Sequence, residues 1–339
     1  MTRLGFFAIS LLVAAGSPAE TAQGQGSPAP GGQAWSDSSP HRAYFVILHG
    51  VQLQCLDWGG DGPPLLLVHG LGDSPHIFDD LANRLKDHFH VIAYARRGHG
   101  KSGSPITGYD DQTLVGDLRD VMDEVRFKHA SLIGWGMGGN EVTAFAGRYP
   151  ERVDKIVYLE GGYDWSTTSF YQAFRKIFAA NQPTRSDGSS VEALRAWYRA
   201  ARLGNAPWTD GLEAFLRDAE QFDRTGVAHL GPSELSSAGL MATLGTWRRD
   251  YKKVQAPALA LYATTFFPTD RSDPVLSQQL RDFEQNVMVP FRRASMERIA
   301  RELRNVEVQQ IADRTHISIG VEQTDTLAAL ISEFLLSQP

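Results

Sequence analysis

The chain has little with which to cross-link itself. Cys55 is its one cysteine among 339 residues, so no intramolecular disulfide can form. Basic runs and internal repeats are also missing. With 33 Lys and Arg against 39 Asp and Glu, the net charge is −6, and no nucleic-acid partner is expected. The apolar run LGFFAISLLVAAG after Arg3 falls short of the roughly 18 residues that span a bilayer. It has the length of a signal peptide, and Ser17 and Ala19 suit the two positions before a cut after Ala19, with Ala22 as a second choice. An uncleaved anchor is the competing reading. No cysteine follows the run, which argues against a lipoprotein. Export to a periplasm or the extracellular space is therefore expected, with no membrane span after cleavage. An exported chain without disulfides is compatible with either compartment.

Metal and cofactor signals are equally sparse. His88 and His90 flank Phe89 without further ligands at zinc spacing. GHGKSGS at 98–104 lacks the spacing of a phosphate loop. Neither a metal nor a cofactor is expected, and Arg96, Arg97 and Lys101 read as structural or solvated.

What the sequence does have is alternation. Residues 20–41, rich in Gly, Pro, Ser and Gln, read as a disordered linker, so folding should start near Arg42. Two strands follow, joined by a tight His49-Gly50 turn. PPLLLVHG, HVIAYARRGHG, ASLIGWG and VDKIVYLEGG then alternate with helical patterns at SPHIFDDLANRLKDHF, DDQTLVGDLRDVMDEV and GNEVTAFAGRYP. ALALYAT and VEVQQIAD are the last strands, and TDTLAALISEFLL is a closing helix. Strands separated by helices predict an α/β fold, a mainly parallel sheet with helices on both faces. About a hundred aromatic-rich residues without a convincing strand separate the strands near 153–160 and 258–264. They predict a helical cap over 164–250, inserted after the sixth strand, with 42–163 and 251–339 as the core.

Four pieces carry chemistry. His69-Gly70-Leu71-Gly72 follows a strand and can aim the Leu71 N–H into a cleft as half of an oxyanion hole. The turn Gly134-Trp135-Gly136-Met137-Gly138 joins a strand to a helix, and the Met137 N–H at the helix start can supply the other half. Trp135 is expected to touch substrate. Glu160 ends a strand and can orient a histidine, with Asp164, Asp270 and Asp273 as alternatives. His316, in IADRTHISI after the last strand, completes the order of nucleophile position, acid and histidine.

Over 42–337 the chain resembles the α/β-hydrolase fold family, on the HG turn at 69–70, ARRGHGKS at 95–102, the elbow GWGMGG, RYPERVDKIVYLE at 148–160 and His316. The resemblance implies ester- or lactone-type hydrolysis of a small apolar ligand. It also favours Glu160 as the acid, since an acid ending the sixth strand is a family variant and LYATTFF lacks an aspartate close behind its strand.

The family's elbow nucleophile is missing. Its place is Gly136, which reaches the positive φ of such a turn without strain but offers no hydroxyl. Trp135 and Met137 are poor nucleophiles, Ser131 should lie within the strand, and Thr143 is more than a turn down the helix. Three readings stay open: a pseudo-hydrolase that only binds, His316/Glu160 base chemistry on water or a substrate proton, and a serine protein in which Gly136 is a chance or engineered change.

Overall fold

The computed structural model describes residues 35–219, 221–222, 228–229 and 234–338. The expected leader 1–19 and residues 20–34 of the expected linker lie outside them. Strands β1 (Arg42–Leu48), β2 (Val51–Gly59) and β3 (Pro64–Val68) lead into a short 3-10 helix (Pro75–Phe78) and α1 (Asp79–Leu85). β4 (His90–Tyr94), α2 (Asp111–Glu124), β5 (Ala130–Trp135), α3 (Gly138–Arg148) and β6 (Val153–Leu159) follow. Between β6 and β9 come α4 (Thr168–Ala180), α5 (Val191–Tyr198), α6 (Asp210–Ala219), the two-residue strands β7 (Gln221–Phe222) and β8 (Ala228–His229), and α7 (Glu234–Thr246). The chain closes with β9 (Ala258–Ala263), α8 (Pro274–Phe283), α9 (Val289–Glu302), β10 (Val306–Ile311) and α10 (Thr324–Leu336).

The main sheet has eight strands in the order β1-β2-β4-β3-β5-β6-β9-β10. β2 runs antiparallel to β1 and β4, and the other pairings are parallel. Central strands read as unbroken apolar runs because both faces are covered, yet the two-residue period still sorts them. Leu66, Val68, Leu132, Ile156 and Tyr158 enter one core, while Leu65, Leu67, Ile133, Val157 and Leu159 enter the other. No described helix is long and apolar enough to cross a membrane.

Three details depart from the sequence expectation. The region between β6 and β9 holds four α-helices among its described residues and also carries the small β7–β8 ribbon. α8 and α9, with π-helical residues Glu284–Met288 between them, pack behind the site without having announced themselves in the periodicity. The last part of the expected linker is also not loose: the compact unit begins at Asp37. The His41 side chain is 5% exposed and packs against the Trp58 and His76 rings, with centroids 5.5 and 5.0 Å away. A linker-like composition hid one buried imidazole.

Candidate active site

The turn between β5 and α3 is forced by close packing. A Cβ on Gly138 would stand 2.1 Å from the Val68 carbonyl oxygen, and one on Gly139 would stand 2.0 Å from that of Gly161. Only hydrogen fits there, and the tightness pins the turn against β3 and the end of β6. Gly136 occupies the apex at φ +52°, and its N–H donates to Leu159 O at 3.2 Å. This is the left-handed region, which glycine enters freely and other residues at a cost of about 1–3 kcal/mol.

His316 faces that apex. A Cβ at position 136 would lie 3.2 Å from His316 Nε2. On the far side of the ring, Nδ1 is 2.9 Å from Glu160 Oε2. An ionised carboxylate only accepts, so in this pair Nδ1 donates to Glu160, and Nε2 is the nitrogen turned toward Gly136. The ring stacks on Phe266 at 4.3 Å between centroids.

Glu160 is itself held hard. It is fully buried and sits at φ +50°, a position glycine normally fills. Its N–H donates to Leu261 O at 2.8 Å, and Oε1 accepts from the Ala263 N–H at 2.6 Å and the Tyr163 hydroxyl at 3.0 Å. Burial, and then the Glu160 charge, push the Tyr163 pKa well above its ordinary value, so it stays a phenol and donates. Arg292, on α9, donates through Nε to the Tyr163 oxygen at 3.3 Å and pairs with Glu284 at 2.8 Å. Burial opposes its charge, but Tyr163, Glu284 and Glu160 together raise its pKa above the ordinary guanidinium value. A cation thus stands one phenol away from the buried carboxylate.

The other candidate acids are elsewhere. Asp164 pairs with Arg298 and accepts from Ser166. Asp270 is exposed, and Asp273 caps α8 by accepting from the Val275 N–H at 2.8 Å.

Leu71, Gly72, Asp73, Gly136, Met137 and His316 share one cavity of about 380 Å³. Met137 is the N-cap of α3, where leading N–H groups have no acceptor within the helix. The Leu71 loop is fixed by two neutral histidines. Burial depresses the His69 pKa well below its ordinary value, and its Nε2 accepts from the Arg96 N–H at 2.9 Å. Burial also pushes His99 down to about 3, and its Nε2 accepts from the Gly72 N–H at 3.1 Å. Arg96 and Arg97 are structural, as expected: they are buried against Glu141 and Asp117.

Trp135 does not line the cavity, against expectation. It is fully buried, and its indole N–H donates to His316 O at 3.0 Å. Its ring lies so close to Gly320 that a Cβ there would stand 2.1 Å from it. Strand alternation explains the error: position 135 faces the core beneath the site, where Trp135 seats the histidine loop. Ser131 lies in β5, and Thr143 donates to Gly139 O inside α3.

Two lining residues gave no sequence signal. Asp73 is buried beside Gly70, and burial lifts its pKa to about 6 against the pull of His316, Arg96 and Arg202. Arg202 lies in the π-helical residues Arg199–Leu203 of the insertion. Its guanidinium carbon stands 5.3 Å from the Phe178 and Trp197 centroids and 5.0 Å from that of Phe267. Burial lowers its pKa to about 10. No described residue forms an ion pair with it within 4 Å. Most of the remaining wall is aromatic or aliphatic and comes from the insertion, including Trp165, Phe174, Phe215 and Met241.

A doubly covered parallel sheet, a strand–turn–helix elbow at positive φ, and a histidine backed by a strand-end carboxylate at its mouth decide the architecture. The chain has the α/β-hydrolase fold. A profile of the family described as alpha/beta hydrolase fold matches residues 63–213. The chain is 29% identical over 204 residues to 2-(acetamidomethylene)succinate hydrolase of Mesorhizobium japonicum, covering 59% of this chain and 70% of that one. Several other curated relatives are matched over only 37% of their length. The solved structure of E-2-(acetamidomethylene)succinate hydrolase superposes with a TM-score of 0.68 at 20% identity, over 88% of this chain and all of that one (100%). The enol-lactonase of Burkholderia xenovorans superposes at 0.60 with 20% identity, over 87% and 100%. The proteins that this α/β-hydrolase-fold chain resembles thus include named hydrolases.

Proposed function

We propose that this chain is an exported member of the ester and lactone hydrolases in which Gly136 stands in the nucleophile's place, and that it acts by activating water directly. The observation carrying the proposal is His316 Nε2, turned toward an apex without a side chain while Glu160 holds the opposite nitrogen. Water at that apex gives its proton to Nε2 as its oxygen bonds to the substrate carbonyl carbon. The carbonyl oxygen becomes an oxyanion facing the Leu71 and Met137 N–H groups. Collapse breaks the bond to the leaving oxygen, which takes the proton back from His316. No acyl-enzyme forms, and slow turnover is the consequence. The test is His316→Ala in the unmodified chain, which should lower turnover by about a hundredfold or more.

The wall refines the ligand from purely apolar to an apolar body carrying one anionic group. Arg202 is the permanent cation among the described lining residues, and the succinate hydrolase relative is named for a dicarboxylate substrate. Arg202→Met should raise KM about tenfold for an ester with a carboxylate on its acyl arm and leave KM for its neutral analogue unchanged. The tenfold figure corresponds to the roughly 1.4 kcal/mol of a charge-assisted hydrogen bond. Steady-state kinetics on the matched pair of esters measures this, and equal KM changes for both would remove the anionic group from the proposal.

A further inference from the structure

A second cluster of titratable groups sits outside the active site, where the segment Asp37–His41 packs on the start of α1. Asp37 and His41 come from that segment, His76 from the 3-10 helix and Asp79 from the first residue of α1. One donor atom from each of the four lies within 4.8 Å of all the others. His76 Nδ1 is 2.9 Å from Asp79 Oδ2 and 3.8 Å from Asp37 Oδ2. His41 Nε2 is 3.3 Å from Asp37 Oδ2, and His41 Nδ1 is 3.8 Å from Asp79 Oδ1. The side chains of His41, His76 and Asp79 are 5%, 4% and 2% exposed.

Hydrogen bonding within the cluster leaves it unfinished. His41 Nδ1 and Asp79 Oδ1 are both buried and neither makes a hydrogen bond of ordinary geometry, with the Ser39 hydroxyl beside the Asp79 carboxylate. They face each other at 3.8 Å, too far for a hydrogen bond. A buried polar atom left unsatisfied is destabilising, and a bound cation would relieve it. Two ligands on one tetrahedral zinc, each about 2.0–2.1 Å from it, stand roughly 3.4 Å apart, so a contraction of a few tenths of an ångström brings these donors onto an ion.

The surroundings have the form of a metal site's outer ring. A histidine that binds metal through one nitrogen commonly offers the other to a carboxylate. His76 Nε2 points at Asp218 Oδ2, 4.0 Å away on α6, and that oxygen too is buried without a hydrogen-bond partner. The donor set selects the ion: two imidazoles with two carboxylates suit zinc, whereas calcium and magnesium take oxygen.

We propose that Asp37, His41, His76 and Asp79 bind one zinc ion that staples the Asp37–His41 segment to the core. Four protein ligands close the coordination sphere, so the role is structural, not catalytic. No sequence spacing announces it, because the two ligand pairs are more than thirty residues apart and one lies in linker-like sequence.

The test takes the full chain, strips it with a chelator, dialyses it and titrates it with Zn²⁺ by calorimetry, alongside thermal melting and metal analysis. One zinc per chain and a raised melting temperature are expected. His41→Ala, and separately Asp37→Asn at the exposed rim, should weaken binding about a hundredfold or more while leaving the metal-free melting temperature within a few degrees. His129→Ala, which removes an exposed His–Asp pair with Asp154, should bind zinc like the unmodified chain. The proposal is overturned if the stripped chain takes up no stoichiometric zinc, or if both cluster variants bind it with unchanged affinity.

Discussion

Gly136→Ser should raise hydrolysis of a short p-nitrophenyl ester by about three orders of magnitude or more. Removing the nucleophile from a serine hydrolase costs roughly a factor of 10⁶, while binding and the oxyanion hole alone keep roughly 10³–10⁴ over water. Everything else that a serine there needs is in place. The new Cβ would meet His316 Nε2 at 3.2 Å, so the ring must give by a few tenths of an ångström, and the hydroxyl then falls within hydrogen-bond reach of Nε2. Ring stacking on Phe266 and the bond to Glu160 define the path of that small shift. At φ +52° the serine is strained by about 1–3 kcal/mol, so a melting temperature lower by a few degrees should accompany the gain. A gain in rate with a loss in stability distinguishes a restored nucleophile from a general repair of the fold. Initial rates and thermal melts on the two proteins measure both.

Glu160→Gln in the Gly136→Ser background should lower kcat by about 10³–10⁴ with little change in KM. Three donors converge on this carboxylate: His316 Nδ1, the Ala263 N–H and the Tyr163 hydroxyl. An amide has one oxygen to serve them, so its NH₂ must face a donor. If that donor is His316, the ring takes the other tautomer and Nε2 loses its lone pair toward position 136. The imidazolium formed in the transition state also loses its counter-charge. Arg292, one phenol away, then lacks the buried anion it was balancing, so some stability is lost as well. Asp164→Asn in the same background should leave kcat near that of the serine variant, because Asp164 serves Arg298 and Ser166. A fall of similar size in both would move the acid role away from Glu160.

The fold was legible because a parallel sheet covered on both faces needs apolar strands interrupted by amphipathic helices, and β3 to β6 show that pattern openly. Chain order picked out His316 and the resemblance favoured Glu160, but separating Glu160 from Asp164 took geometry. Four residues apart, one turns at positive φ to the back of the His316 ring and the other turns to an arginine. Trp135 was misread because the sequence places it beside the elbow, whereas strand alternation points it away. Arg202, Asp73 and Arg292 were invisible for another reason. Their roles come from elements that meet only after folding, and a lone arginine in a helix looks like any solvated one. The Asp37–His41 segment was hidden by its composition: a polar stretch reads as linker until its histidine is seen buried under Trp58.

Water activation by His316 at an apex without a side chain is the central claim, and one comparison tests it most directly. Turnover of a carboxylate-bearing p-nitrophenyl ester is measured with the unmodified chain and with His316→Ala, both confirmed folded by melting. Slow, saturable turnover above buffer is expected in the first, and turnover lower by about a hundredfold or more in the second. Equal rates in the two proteins would contradict the claim.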